Sequence, residues 1–324
     1  MSEHWSEYWK SGHLTSFGNE FSDNYTGQLR SIWESIFNRL PNNFKLLDVA
    51  TGNGALPLLA QDYLKKFNFI GTIKGIDFAS INPQPLIEYH QNKKINIDLL
   101  GNVRAESLPF SDNEFDAVIS QFGIEYSDIK KSFYEVNRVL VNGGIFESII
   151  HHKNSSIIKN NTRLLNFLGL AQIESVIMVL RQLAQDMGNM RGPDDLKRVK
   201  SCPKCENSRL EVNRLLAEIA TFDEIAFRDT ELLTYVNNFF KSGLFWSVDK
   251  KLEYLDFVES QLLVYKNRLN ELVAAAMDSD NINNLKLYLT TFHVADLVVD
   301  EVHSDKNEII AWHMRYTKLR NIDS

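Results

Sequence analysis

Between residues 44 and 152, short apolar runs alternate with stretches whose apolar residues recur at threes and fours. Residues 45–50 read as a buried strand and 54–65 as the helix that follows it. A second strand covers 70–78 and a second helix 85–92, with further strands at 95–102 and 115–121. Over 128–140, Ile129, Phe133, Val136 and Leu140 share one helical face. The Asn142-Gly143-Gly144 turn then leads into a strand over 145–150. Strand and helix in alternation predict a parallel, doubly wound α/β sheet.

The pattern changes near residue 156. From there to 284 the periodicity is helical, with Leu164, Leu168, Ile173, Ile177, Leu180 and Leu183 at helical spacing and later runs centred on Leu215, Leu232 and Leu263. A polar stretch over 197–208, after Gly192-Pro193-Asp194, reads as a loop or hinge. Val and Ile return over 292–302 and 308–316 with a polar turn between, which predicts a β-hairpin. The expected organisation is an N-terminal helical cap over 1–43, a sheet domain built from 44–155 and 285–324, and an inserted helical subdomain over 156–284. Those inserted helices either pack on themselves or cover a substrate as a lid.

Composition narrows the partners. The chain has 324 residues, 44% hydrophobic and 24% charged, with a formal net charge of −7. A nucleic-acid binder needs a basic stripe; the densest basic cluster, Lys197, Arg198 and Lys200, is short, so no nucleic-acid partner is expected. No apolar run reaches the roughly 18 residues of a membrane span, and the polar, aromatic start is not a signal peptide. With two cysteines, Cys202 and Cys205, no disulfide framework is expected, and the reading is a reduced, cytoplasmic protein.

The informative stretch is Leu46-Leu47-Asp48-Val49-Ala50-Thr51-Gly52-Asn53-Gly54-Ala55, a buried strand ending in an acid and a Gly-x-Gly turn opening a helix. Glycines let the backbone take positive φ and let a ligand approach. A nicotinamide or flavin dinucleotide needs a third glycine, but Pro57 stands there, and the anionic Asp48 offers a pyrophosphate nothing. S-adenosylmethionine (SAM) carries a sulfonium and an ammonium, which a carboxylate at that place favours. A second acid, Asp77, ends the next strand where a ribose would be gripped.

Three further stretches sharpen this. Residues 105–118, Ala-Glu-Ser-Leu-Pro-Phe-Ser-Asp-Asn-Glu-Phe-Asp-Ala-Val, the Arg138-Val139-Leu140 helix end and the following Gly143-Gly144 turn stand in order after the glycine loop. Together, over about 44–152, these resemble class I SAM-dependent methyltransferases, particularly the group of ubiquinone and menaquinone C-methyltransferases. The resemblance implies a Rossmann-like class I methyltransferase sheet, mostly parallel with an antiparallel C-terminal hairpin, interrupted by a large helical insertion. It implies SAM as cofactor, with Asp48, Ala50, Thr51, Gly52, Asn53 and Gly54 around the methionine part, and Asp77 on the ribose. Phe78, Ala105 and Glu106 would border the adenine, and Gln121 and Phe122 would face the cofactor. Two residues depart from the family: Ala50 replaces its first glycine, and Arg104 replaces the acid or amide that contacts the adenine amino group. Arg has no acceptor to offer there.

Methyl transfer needs donor and nucleophile held in line with water excluded, and a base only for a nucleophile of high pKa. His151 and His152, at the end of the fifth strand, are candidate bases; Glu125 and Tyr126 are similarly placed. Tyr8, Trp9 and Tyr25 are candidates to cap the cofactor. Cys202-Pro203-Lys204-Cys205 resembles half a zinc knuckle without a second pair, so free thiols rather than a metal site are expected. The expected partner is a small-molecule methyl acceptor, with a homodimer as one option for assembly. The alternatives are a SAM-binding regulator without catalysis and a protein methyltransferase that docks its partner on the insertion.

Overall fold

The computed structural model describes residues 2–17, 24–82 and 94–319; the helix expected over 85–92 and the aromatic Phe21 lie outside them. The element order is α1 (Ser2–Lys10), α2 (Gly27–Phe37), β1 (Phe44–Val49), α3 (Ala55–Leu64), β2 (Gly71–Ile76), β3 (Ile95–Leu100), β4 (Phe115–Gln121), α4 (Ile129–Val139) and β5 (Leu140–His151). There follow α5 (Ser156–Leu168), α6 (Ala171–Met187), α7 (Pro193–Lys200), α8 (Pro203–Phe222), α9 (Glu224–Asp229), α10 (Leu232–Lys241) and α11 (Val248–Ala275). The described chain closes with α12 (Ser279–Leu289), β6 (Val294–His303) and β7 (Ile309–Lys318). Two compact units result, Met1–Lys159 with Glu271–Ser324, and Asn160–Asn270.

In the first unit a seven-stranded sheet runs β3-β2-β1-β4-β5-β7-β6. The first five strands are parallel, and β7 is antiparallel to both β5 and β6. Successive residues explain the continuous apolar runs of the central strands. Leu46 faces one core with Trp33, Phe37, Ala60 and Ile73; Leu47 faces the other with Phe133, Val136, Phe146 and Tyr316. Both faces are covered, so neither can be polar. The strand order reverses between β1 and β4, where Asp48 lies beside Ile119. Such a switch point opens a crevice at the carboxyl ends of the strands.

Two of the family-like stretches meet through one side chain. The Arg138 guanidinium donates to the carbonyls of Leu108 (3.0 Å) and Phe110 (2.8 Å) and to Asp112 Oδ1 (2.8 Å), and pairs with Glu135 at 2.7 Å. Glu135 in turn accepts from the Leu108 N–H at 2.8 Å. The end of α4 thus pins the loop over 105–114. Arg138→Ala is expected to lower the unfolding free energy by about 2 kcal/mol, since it strands two part-buried carbonyls and the Glu135 carboxylate. A urea titration showing an unchanged midpoint would rule this tie out.

Two expectations change. The turn at Gly143, with φ +84°, lies inside a longer β5 that already starts at Leu140. The polar stretch over 197–208 is mostly helical, not a hinge: α7 opens on Pro193 with Asp194 and Asp195 in its first turn and closes on Lys197, Arg198 and Lys200. Charges placed this way complement the helix dipole, and Leu196 and Val199 pack its inner side against the core of the second unit. The second unit buries its own core of Phe167, Val176, Leu180, Val212, Leu215, Leu232, Phe239 and Val258.

Candidate functional site

The chain leaves β1 through a bend that few residues tolerate. Ala50, Gly52 and Gly54 all take positive φ, at +61°, +53° and +90°. For Ala50 the left-handed region costs roughly 1 kcal/mol. The loop after β4 makes room for it: a Cβ built on Gly123 would lie 2.3 Å from the Ala50 Cβ. Thr51 N–H donates to the Ile76 carbonyl at 2.9 Å, so the bend is tied to the end of β2.

Two acids sit under this bend. Asp48 is buried; its Oδ2 accepts from Thr51 Oγ1 at 2.7 Å, while Oδ1 has no partner among the described residues. Burial pushes its pKa up to about 8; the Thr51 hydrogen bond opposes this and the nearby Asp77 adds to it. Asp77 accepts from the Gly52 N–H (Oδ2, 2.8 Å) and the Ala79 N–H (Oδ1, 2.8 Å). Burial raises its pKa to about 6 against the pull of those two amides. Across from Asp48, at the end of β4, the Gln121 Oε1 accepts from the Trp33 indole, which orients the amide with its nitrogen toward the Tyr25 hydroxyl. Burial holds the Tyr25 phenol well above its usual range, and the neighbouring Gln121 offsets part of that.

These groups border a cavity of about 470 Å³, within the range of small-molecule sites. Of the residues expected around a cofactor, Tyr25, Asp48, Ala50, Thr51, Gly52, Asp77, Phe78, Ala105, Glu106, Gln121 and Phe122 line it. Asn53 and Gly54 do not. Asn53 instead latches the N-terminal segment: its Nδ2 donates to the carbonyls of Trp9 (2.9 Å) and His13 (2.8 Å), and its Oδ1 accepts from the Asn82 N–H at 2.8 Å. Gly54 is the N-cap of α3.

The N-terminal helix supplies more of the wall than the sequence revealed. Trp5 and Trp9, one turn apart on α1, both line the cavity, with Trp5 edge-on to Tyr126 at 5.7 Å. Trp9 lies directly on the bend, since a Cβ on Gly52 would meet its ring at 2.6 Å. Tyr8 points elsewhere, donating to the Thr15 carbonyl at 2.7 Å. The Arg104 guanidinium stacks on Phe78 at 4.3 Å, and both line the cavity. The density of aromatic residues over 4–9 was the signal for Trp5, and Arg104 stood out only as a departure at the adenine contact; Gly123 left no signal.

The histidine expectation is corrected by burial. His151 is sealed behind Phe122, which stacks on it at 4.4 Å, and neither ring nitrogen has a partner among the described residues. Burial drives its pKa down to about 3. His152 packs on Trp312 at 4.2 Å with Nε2 3.4 Å from Glu301, and burial also lowers its pKa. Neither ring lines the cavity. Alternation along β5 sends them to opposite faces of the sheet, and both faces are covered. Glu125 is buried as well, accepting from the His151 N–H at 2.8 Å; burial raises its pKa to about 7. It borders a separate cleft with Lys130, Asn281 and Tyr288.

A glycine-bent loop at the switch point of a 3-2-1-4-5-7-6 sheet, with acids ending β1 and β2, defines a Rossmann-like class I methyltransferase domain. Residues 47–147 match the family described as a methyltransferase domain. Over that stretch the chain is therefore similar to methyltransferase domains. It is similar to the ubiquinone/menaquinone biosynthesis C-methyltransferase of Blochmanniella floridana, 34% identical over 125 residues, 36% of this chain and 46% of that protein. The protein of the same name from Rickettsia prowazekii is 33% identical over 159 residues, 46% of this chain and 62% of that one. The chain thus spans about half the length of the curated relatives it matches. Among solved structures, a SAM-dependent methyltransferase from Methanosarcina mazei covers 89% of this chain and 98% of its own, with 14% identity and a TM-score of 0.40.

Proposed function

We propose that this protein transfers the methyl group of SAM to a small-molecule acceptor. The observation that carries the reading is Asp48 Oδ1, a buried carboxylate oxygen on the cavity wall with no partner among the described residues. A buried acceptor left unsatisfied is costly, and the ammonium of a methionine moiety would satisfy it. The Gln121 amide nitrogen, held toward Tyr25 by the Trp33 anchor, is a donor suited to the carboxylate of the same moiety. The Asp77 carboxylate oxygens each accept one N–H and keep a lone pair for ribose hydroxyls. Phe78 with Arg104 stacked on it provides flat surface for adenine, so stacking would replace the missing acceptor at 104.

Bound SAM supplies a methyl group already activated on a sulfonium. What the chain adds is position and dryness: Trp5, Trp9, Phe122 and Tyr126 wall the cavity with apolar rings that exclude water. The names of the relatives, C-methyltransferases of ubiquinone and menaquinone biosynthesis, support a small-molecule acceptor with carbon as the methylated atom.

The test has two parts. Calorimetric titration with S-adenosylhomocysteine is expected to give saturable binding to the purified protein. Incubation with methyl-tritiated SAM and a small-molecule extract is then expected to move label into the metabolite fraction. Absence of binding overturns the reading. Binding without transfer indicates a non-catalytic SAM binder, and label in the protein fraction indicates a protein acceptor.

A further inference from the structure

The second unit holds a pair of sulfur atoms in an asymmetric arrangement. Pro203 opens α8 at its first position, where its missing N–H leaves no unmet bond. Cys202 is then the N-cap, extended at φ −82° and ψ 113°, as a residue before proline should be. Its Sγ accepts from the Cys205 N–H at 3.5 Å, so sulfur fills the role that a Ser or Asp oxygen takes at most helix starts. Cys205 lies one turn further on and is 3% exposed, while Cys202 is half-buried. The Cys202 sulfur thus already lies against the backbone of Cys205, and a disulfide, which brings the two Cβ atoms to roughly 3.5–4.5 Å, needs an adjustment of this first turn.

The surroundings split the two thiols chemically. Cys202 meets the positive end of the α8 dipole. The Cys205 N–H, the Cys205 thiol and the Lys204 N–H together hold its pKa below the usual thiol value. Burial pushes Cys205 up to about 11, and its bond to Cys202 adds to the rise. The charged groups facing the pair are Asp186 from α6, which opposes ionisation of both, and Arg198 from α7, which favours it at Cys205. Among the described residues, no third His, Cys, Asp or Glu joins the pair in a group able to hold a metal.

We propose that Cys202 and Cys205 form a reversible intramolecular disulfide by exchange with a low-molecular-weight disulfide, Cys202 attacking and Cys205 resolving. In the first step the Cys202 thiolate attacks one sulfur of the small disulfide. A mixed disulfide forms on Cys202, the small S–S bond breaks, and one small thiolate leaves. In the second step Cys205 releases its proton to solvent and attacks the Cys202 sulfur. The Cys202–Cys205 bond forms and the second small thiolate leaves. Two protein thiols are oxidised, and the two electrons depart on the two small thiolates. The resulting bond joins the N-cap to the first turn and locks the start of α8. This inference stands on the sulfur pair alone and survives the failure of the methyltransferase reading.

The test equilibrates the intact protein with reduced and oxidised glutathione at a series of ratios, quenches with acid and N-ethylmaleimide, and reads the mass. As the ratio turns oxidising, both alkylations are expected to vanish together, with the loss of two hydrogen masses. Cys205→Ala should instead accumulate a glutathione adduct on Cys202, and Cys202→Ser should leave Cys205 reduced. Persistent glutathione adduct on the unmodified protein, or two thiols still alkylated at the most oxidising ratio, would overturn the proposal. Should Cys205→Ala fail to fold by circular dichroism, the mass of the unmodified protein decides alone.

Discussion

Gly52→Val is expected to leave a folded protein that binds SAM at least ~100-fold more weakly, because strain and collision act at the same atom. The backbone at 52 has φ +53°, a region that a β-branched residue enters at a cost of about 2 kcal/mol. A Cβ there would also sit 2.6 Å from the Trp9 ring, so either the bend or α1 must shift. Both border the cavity, so either movement deforms the same wall. Pairing the change with Trp9→Ala separates the causes: partial recovery of binding points to collision, no recovery to backbone strain. Calorimetry returning the affinity of the unchanged protein would mean that the bend does not hold the cofactor.

Asp48→Asn is expected to weaken SAM binding by roughly 10- to 100-fold, the worth of one charge-assisted hydrogen bond. It should also steady the ligand-free protein above neutral pH. The sign follows from the raised pKa. In the fold Asp48 titrates at about 8 and in the unfolded chain near 3.8. Its contribution to stability is therefore fully present below pH 3.8 and lost as the pH rises through about 8. The slope is at most about 1.4 kcal/mol per pH unit. Asn removes that slope, so the melting temperatures of the two proteins should diverge between pH 6 and 8 in favour of the variant. Ligand binding runs the other way. A cation needs the ionised carboxylate, so the affinity of the unchanged protein should rise from pH 6 to 7.5, and that of the Asn variant should not. Equal affinities at pH 7.5 would remove Asp48 from the proposed site.

The alternation of strands and helices over 44–152 was readable because each element buries its own local run of residues. The motif residues from Asp48 to Gly54 carry that information within one turn of chain. Other features depend on partners far away in sequence. Gln121 read only as a residue facing a cofactor; its amide is oriented by Trp33, 88 positions earlier. Asn53 read as part of the loop's binding surface, yet its amide is taken up by the carbonyls of Trp9 and His13. The stretch over 197–208 read as a loop or hinge because it is mostly polar, although Val199, Cys202 and Cys205 pack on the core of the second unit. Caps and end charges make most of it helix all the same.

By itself the sequence determined a doubly wound sheet, the acid-led glycine bend and the acid that ends β2. Each of these follows from periodicity and backbone chemistry over a few neighbouring residues. Only the tertiary structure decided which side chains reach the cavity. It brought Trp9 of α1 onto the bend and Trp5 to the cavity wall, laid Arg104 on Phe78, and sealed His151 behind Phe122. Access to a cavity is a property of what packs in front of a residue, and the packing partners here come from segments that no local pattern connects.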